Sequence, residues 1–272
     1  MKRLVLVLLL ALGACGEKPE EGWLGYAEGD SAMAAAPQAG WLTDLKVERG
    51  QVVKRGDLLF VLDNTSQQAG RDQAQGALAQ ARAALRQEQA NLAYARTELA
   101  RQDSLARANA GTPTQRDLAR TNAQQSAARV AQLQAQIRQM EAGLESAAYG
   151  LSQRQVTAQT EGPVQDIYFR PGEYVAAATP VVSILPPANI YARFFVPQSQ
   201  LVGVKLGQKV QIACDGCKPM TATITFIATQ VEYTPPVIFS IGNREKLVFK
   251  LEARSAGGLP IHPGQPLTVK PL

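Results

Sequence analysis

Three cysteines and one histidine hold most of the reactive side-chain chemistry in these 272 residues. Cys214 and Cys217 stand in CDGC, a spacing that suits zinc, thiol redox chemistry or a bridge. Zinc needs two further ligands, and His262 is the only histidine. A redox pair normally opens a helix, whose N-terminus lowers the thiol pKa. Here QIACDGCKPMTATITFI reads instead as two strands joined by Asp215-Gly216, a two-residue hairpin signal. Residues flanking such a turn lie about 5.5 Å apart at Cα, within disulfide range. In an oxidising compartment the expected role is therefore a structural bridge between Cys214 and Cys217.

Cys15 has a different setting. Lys2 and Arg3 precede the apolar run Leu4 to Leu12, and Leu12-Gly13-Ala14-Cys15 follows at once. A basic start, a short apolar stretch and small residues describe a secretory signal peptide, too short to remain as a membrane span. LGAC resembles a bacterial lipobox, which implies cleavage before Cys15 and lipidation of its sulfur; ordinary signal cleavage leaving a spare cysteine is the alternative. No other segment is apolar enough to cross a membrane, so the expected location is the periplasm, tethered by lipid. The formal charge of +5 does not point to nucleic acid or to an anionic surface. Its excess arginine is scattered along a helical segment without interleaved aromatics, as on a solvated helix face.

Enzymatic chemistry finds no footing. There is no GxxxxGK[ST] loop, no HExxH and no Gly-x-Ser-x-Gly elbow. His262, between Ile261 and Pro263, reads as a surface loop residue. No catalytic residue, metal site or cofactor is expected.

The elements that must position these residues begin with GWLTDLKVERGQVVKRGDLLFVLD, Gly40 to Asp63. Two alternating strands broken at Arg49-Gly50 and Arg55-Gly56 cannot bury a core alone. EGPVQDIYFRPGEYVAAATPVVSIL, Glu161 to Leu185, matches it at a constant offset of 122 positions (162 − 40). Gly40 falls on Gly162, Leu42 on Val164, Asp44 on Asp166, Gly50 on Gly172, Val53 on Val175 and Leu59 on Val181. Two half-units, each with one apolar face, close into a small β-sandwich. Asp44 and Asp166 then read as turn or strand-end residues, not as an acid–base pair.

Between the halves, Leu78, Leu85, Leu92 and Leu99 recur every seven residues, with Ala74, Ala81 and Ala95 at the alternate seam position. A second run has Val130, Leu133, Ile137, Met140, Leu144, Ala147 and Leu151 at alternating three and four. Asn109 to Pro113 separates the runs, with Thr112 as N-cap and Pro113 as first helical residue. This predicts an antiparallel coiled-coil hairpin with arms of about 60 Å. Glu88 and Gln102 on the first seam point to a loose pairing. A lipoyl or biotinyl carrier would place a lysine where the half-motifs join, yet no lysine lies between Lys54 and Lys205. That excludes the carrier function. After Ala188, Ile190 to Val196, Lys209 to Ala213, Thr221 to Ile227, Leu247 to Ala253 and Leu267 to Val269 read as strands of a small closed barrel.

The split repeat, the hairpin and the barrel together resemble the HlyD-type membrane fusion protein family, the periplasmic adaptors of tripartite exporters. Arg101, Leu105 and Thr112 are similar to that family's hairpin-tip pattern, an Arg, a Leu four residues on and a Ser seven further, with threonine in the place of serine. The resemblance implies that this tip docks on a TolC-like outer-membrane channel. VEYTPPVIFSIGNREKLVFKLEA, Val231 to Ala253, and the CDGC loop resemble the subgroup associated with ABC-type exporters. The implied fold class is an elongated, mixed α and β multidomain chain. Its expected segments are a signal peptide (1–14), a lipidated N-terminal linker and strand (15–36) and a lipoyl-like sandwich (37–64 with 160–187). The helical hairpin (65–159) and the β-barrel (188–272) complete it, with little or no separate membrane-proximal domain. The implied partners are an inner-membrane exporter, the outer-membrane channel, the membrane through the lipid of a Gram-negative inner membrane, and further copies of the chain in a ring, commonly a hexamer. A periplasmic coiled-coil scaffold lipoprotein with no role in export is the competing reading.

Overall fold

A computed structural model describes residues 22–233 and 247–272. The expected signal peptide, the expected lipidation site Cys15 and the middle of the Val231–Ala253 segment lie outside these residues. The described residues form two compact units, 33–159 with 166–183, and a second comprising 22–32, 160–165, 184–233 and 247–272.

The repeat governs the sandwich strands. The first half gives β3 (Gly40–Leu45), β4 (Val52–Val53) and β5 (Leu58–Leu62); the second gives β7 (Gly162–Ile167), β8 (Tyr174–Val175) and β9 (Pro180–Ile184). Each boundary in the second half falls 122 positions after its counterpart. Two short strands outside the matched stretches, β2 (Ala32–Ala35) and β6 (Gln155–Thr157), end 122 positions apart as well. The sheets are ordered β6-β5-β3-β8 and β2-β9-β7-β4, so each has a central pair from one half flanked by two strands from the other. Equivalent hydrogen bonds repeat as well: Lys46 N–H donates to Leu59 O at 2.8 Å, and Tyr168 N–H to Val181 O at 2.9 Å. Ala158 N–H donates to Asp57 O as Ala36 N–H donates to Thr179 O.

Two kinds of residue explain why the halves fold alike. Leu42, Val53, Leu59 and Leu62 are buried, and so are Val164, Val175, Val181 and Ile184 at the matching positions. The turns share one construction, a glycine with positive φ followed by a residue whose side chain accepts from the backbone two positions before that glycine. Gln51 Oε1 accepts from Glu48 N–H beside Gly50 (φ 84°), and Glu173 Oε2 accepts from Arg170 N–H beside Gly172 (φ 93°). Glycine enters this left-handed region without the Cβ penalty other residues meet. Asp44 pairs with Lys46 and Asp166 with Arg49, so neither aspartate is set up for acid–base work.

Between β5 and β6 run α1 (Thr65–Arg107) and α2 (Pro113–Ser152). Asp63 opens α1, accepting from both the backbone and the hydroxyl of Thr65, and these hydrogen bonds hold its carboxyl below the usual carboxylate range. All the seam residues expected from the heptads are buried or half-buried. Leu78, Ala81 and Ile137 form the centre, flanked by Leu85, Met140 and Leu144, and Arg82 bridges to Glu141 at 2.8 Å. The helices end earlier than the expected 65–159, because β6 leaves the hairpin to pair with β5.

The closed barrel is ordered β1-β10-β13-β12-β11-β14. It uses β10 (Ile190–Pro197), β11 (Lys209–Ala213), β12 (Met220–Tyr233), β13 (Leu247–Arg254) and β14 (Pro266–Pro271), with a short helix α3 (Gln198–Leu201) after β10. Its remaining strand corrects the sequence-based division: β1 (Trp23–Gly29) comes from the segment read as linker and strand, and pairs with both β10 and β14. Trp23 stacks on Phe194 at 5.7 Å inside the barrel, over Ile212, Ile224, Leu251 and Val269. Register shifts between Ile224 and Phe226, and between Ile227 and Val231, bend β12 around the wall.

Candidate functional site

No group of His, Cys, Asp and Glu able to hold a metal ion occurs among the described residues. No described helix is long and apolar enough to cross a membrane. The hairpin tip is the most sharply built of the surfaces.

At the tip, α1 stops in a Schellman motif. Asn109 takes the left-handed conformation (φ 53°), its N–H donates to Ala106 O at 3.1 Å, and Ala110 N–H donates to Leu105 O at 2.9 Å. α2 restarts in a capping box: Thr112 Oγ1 accepts from Gln115 N–H at 3.3 Å, and Gln115 Oε1 accepts from Thr112 N–H at 3.4 Å. Thr112 is thus the expected N-cap, with Pro113 behind it. A Cβ on Gly111 would meet Leu105 Cβ at 3.2 Å, so the tip loop lies directly against Leu105. Arg101 and Leu105, one helical turn apart, share a face of α1. Arg101 is exposed and paired with Glu98 at 3.0 Å, and Leu105 is 38% exposed. Leu118, in the opening turns of α2, is 60% exposed and extends the apolar tip. The heptad pattern does not single it out, because only its neighbour Ala119 faces the seam.

The seam contains one charged member. Glu88 is 9% exposed; Asn91 Nδ2 donates to its Oε2 at 3.0 Å, while Oε1 is buried without a hydrogen-bond partner.

On the sandwich, Trp41 and Tyr174 form an edge-on pair at 5.4 Å and are each more than half exposed. They are register partners on β3 and β8.

On the barrel exterior, Arg193 bridges Glu28 and Glu252 while Arg254 bridges Asp30. The Arg254 guanidinium sits 4.0 Å from the Tyr191 ring centroid. Burial, together with the charge of Glu252, pushes the Tyr191 phenol up to about 12. Burial works against the charge on Arg193, but its hydrogen bonds to Glu252 and Tyr26 and the charge of Glu28 outweigh it and raise its pKa. These residues form a belt of ion pairs over β1, β10 and β13.

Cys214 and Cys217 are joined, with Cα atoms 5.4 Å apart. Their turn differs from the expected hairpin. The β11–β12 ladder ends at Ile212 and Met220, so the cysteines sit in the longer connection 214–219. Gly216 has φ 75° but Asp215 does not have a positive φ, which excludes a type I′ turn. His262 is exposed, its N–H donating to Gln265 Oε1.

Comparisons with known proteins agree with this architecture. The barrel-sandwich hybrid domain of RND membrane fusion proteins matches residues 35–185. The chain is 29% identical over 177 residues to the macrolide export protein MacA of Escherichia coli O157:H7, covering 64% of this chain and 48% of that protein. It is 28% identical over 148 residues to the UPF0194 membrane protein in the asrC 5'region of Acidithiobacillus ferridurans, covering 51% of this chain and 44% of that protein. The chain thus spans about half the length of the curated relatives it matches. Among solved structures, MacA from Actinobacillus actinomycetemcomitans aligns with a TM-score of 0.70 at 19% identity, over 92% of this chain and 78% of that one. The membrane fusion protein Spr0693 from Streptococcus pneumoniae R6 aligns at 0.57 and 16% identity, over 92% and 97%. At such identities the structural likeness bears on the fold alone.

Proposed function

The chain belongs to the RND membrane fusion protein family, and from that premise we propose that it is a periplasmic adaptor linking an inner-membrane exporter to an outer-membrane channel. Membrane fusion proteins are non-enzymatic adaptors, and relatives of the chain carry names of export and resistance. The observation that carries the reading is the hairpin itself. It interrupts the sandwich where a carrier would need its lysine, and ends in an ordered tip that exposes Arg101, Leu105 and Leu118.

In this proposal Cys15 is lipidated and holds the chain at the periplasmic face of the inner membrane. The tip, with Arg101, Leu105 and Thr112, docks a TolC-like channel. Thr112 keeps the hydroxyl of serine, and its capping bond uses that oxygen as an acceptor, leaving the O–H free to donate. Copies of the chain associate side by side through heterologous contacts that close into a ring, as a hexamer, around a duct. The exporter supplies the energy and selects the substrate.

The exporter is proposed to be of ABC type, on the resemblance of Val231 to Ala253 and of the CDGC loop. The RND description of the matching family favours an RND pump as the second reading. Co-purification of the lipidated chain with its exporter, followed by identification of that subunit, separates the two.

A photo-reactive side chain at Leu118 tests the docking. It should cross-link to the outer-membrane channel, and Arg101→Asp with Leu105→Ser should abolish both the cross-link and export while the helical circular dichroism is unchanged. Export that survives those substitutions would favour the scaffold reading.

A further inference from the structure

Val202 is 92% exposed and Leu206 is 68% exposed, on one short loop after α3. Isolated exposed aliphatics are ordinary on protein surfaces. This loop differs because its backbone is pinned. Gly203 N–H donates to Gln200 O, Val204 N–H to Leu201 O and Gly207 N–H to Ile224 O at 2.9 Å. Gln208 Oε1 accepts from Lys205 N–H at 3.1 Å, the same turn construction found twice in the sandwich. Leu201 and Val204 pack against the barrel core, so the intervening Val202 and the following Leu206 are held outward. Between and after them stand Lys205 and Lys209, both exposed and neither in an ion pair among the described residues.

The loop's place in the barrel says what it meets. Trp23, the first residue of β1, donates from Nε1 to Gln200 Oε1 at 2.6 Å, so the N-terminal entry and the loop occupy the same barrel end. Lys209 begins β11 at that end as well, where Leu272 N–H donates to its carbonyl. Cys15 lies eight positions before Trp23. Eight residues reach at most about 29 Å even when fully extended. A lipid on Cys15 therefore keeps this barrel end next to the bilayer. This placement rests on the anchor proposed above.

We propose that this loop is a membrane-contact device: Val202 and Leu206 enter the interfacial region of an anionic bilayer, and Lys205 and Lys209 meet its phosphate headgroups. Apolar tips flanked by lysine are the side-chain set that binds such an interface, through buried apolar area and attraction to anionic lipid. Each lysine near an anionic surface strengthens binding roughly fivefold. Net charge and composition conceal this, since the arginine excess lies on the helices while these lysines are local to one loop. The acids Glu17, Glu20 and Glu21 precede β1 and are no part of the loop.

The test uses the full lipidated chain with Val202→Trp, reconstituted in vesicles of phosphatidylglycerol bearing brominated acyl chains. The introduced indole should be quenched beyond the baseline that Trp23 and Trp41 give in the parent chain. Lys205→Glu with Lys209→Glu should return it to baseline, as should phosphatidylcholine vesicles. Equal quenching on phosphatidylcholine, quenching that survives the lysine reversals, or quenching that needs a co-reconstituted exporter overturns the proposal. Mass spectrometry of the same sample reads the acyl group on Cys15. Acylated protein with an unquenched indole refutes the membrane contact alone; unacylated protein that is still quenched refutes the anchor alone.

Discussion

Ala178 lies 122 positions after Gly56 and, like it, holds a positive φ, 61° against 96°. The repeat imposes the same turn in both halves, although only the first supplies the residue suited to it. A left-handed conformation costs an L-residue roughly 1–2 kcal/mol, and glycine returns part of that through its unfolded-state entropy. Ala178→Gly should therefore stabilise the protein by roughly 0.5–1 kcal/mol in denaturant titrations. Gly56→Ala should destabilise it by about 1 kcal/mol with no steric contribution, since nothing lies within 4 Å of the added Cβ. Effects of the same sign at the two positions would refute the equivalence of the turns.

Glu88 predicts a gain from losing a charge. One of its carboxylate oxygens is buried in the seam with no partner. Replacing a buried, half-satisfied carboxylate with a packed aliphatic residue is neutral or stabilising by roughly 1–3 kcal/mol. Glu88→Leu should raise the midpoint of the helical melt followed by far-ultraviolet circular dichroism. A lower midpoint would mean that the second oxygen has a partner in solution.

Tyr191 sets an alkaline limit. Its folded-state pKa is raised to about 12, from an ordinary value near 10. Below pH ~10 the phenol is neutral in both states and its contribution is intact. As pH climbs from about 10 to about 12, the unfolded chain ionises first and stability falls, by roughly 2–3 kcal/mol at most. Tyr191→Phe should flatten that part of the stability–pH curve relative to the parent. Parallel curves for the two proteins would contradict the assignment.

Cys214 and Cys217 close a very small loop, and constraining so short a segment contributes roughly 2 kcal/mol. Replacing both with serine should lower stability by about that amount and leave hairpin-tip cross-linking unchanged. Unreduced mature protein should show no free thiol on mass spectrometry; two free thiols would reject the bridge.

The features legible in the sequence were those with local signals. The offset between Gly40 and Gly162 anticipates the equivalent strand boundaries, because each half encodes its own alternation and glycine turns. The seam from Leu78 to Leu99 and the cap at Thr112 follow from heptad spacing and helix-start chemistry in the same way. Non-local pairings escaped. Nothing near Trp23 announces a partner at Val269, and Gln155-Val156-Thr157 is too short to register as a strand against the end of a long helix. The tip residues could be named from their pattern, but Leu118 could not, and exposure alone distinguishes Val202 and Leu206.

The bond between β1 and β14 also constrains the order of assembly. Trp23 pairs with Val269, so the barrel wall is completed by residues near opposite ends of the sequence. Closing so long a loop must precede the reward of the contact, which makes such pairings late events in folding. In the sandwich, too, Ala36 waits for Thr179 across the whole hairpin, whereas the hairpin can form by itself once Ser152 has emerged. A chain synthesised from its N-terminus would thus carry helical arms before it has a finished base, and β1 would wait for β10 and then β14, both of which lie beyond the hairpin.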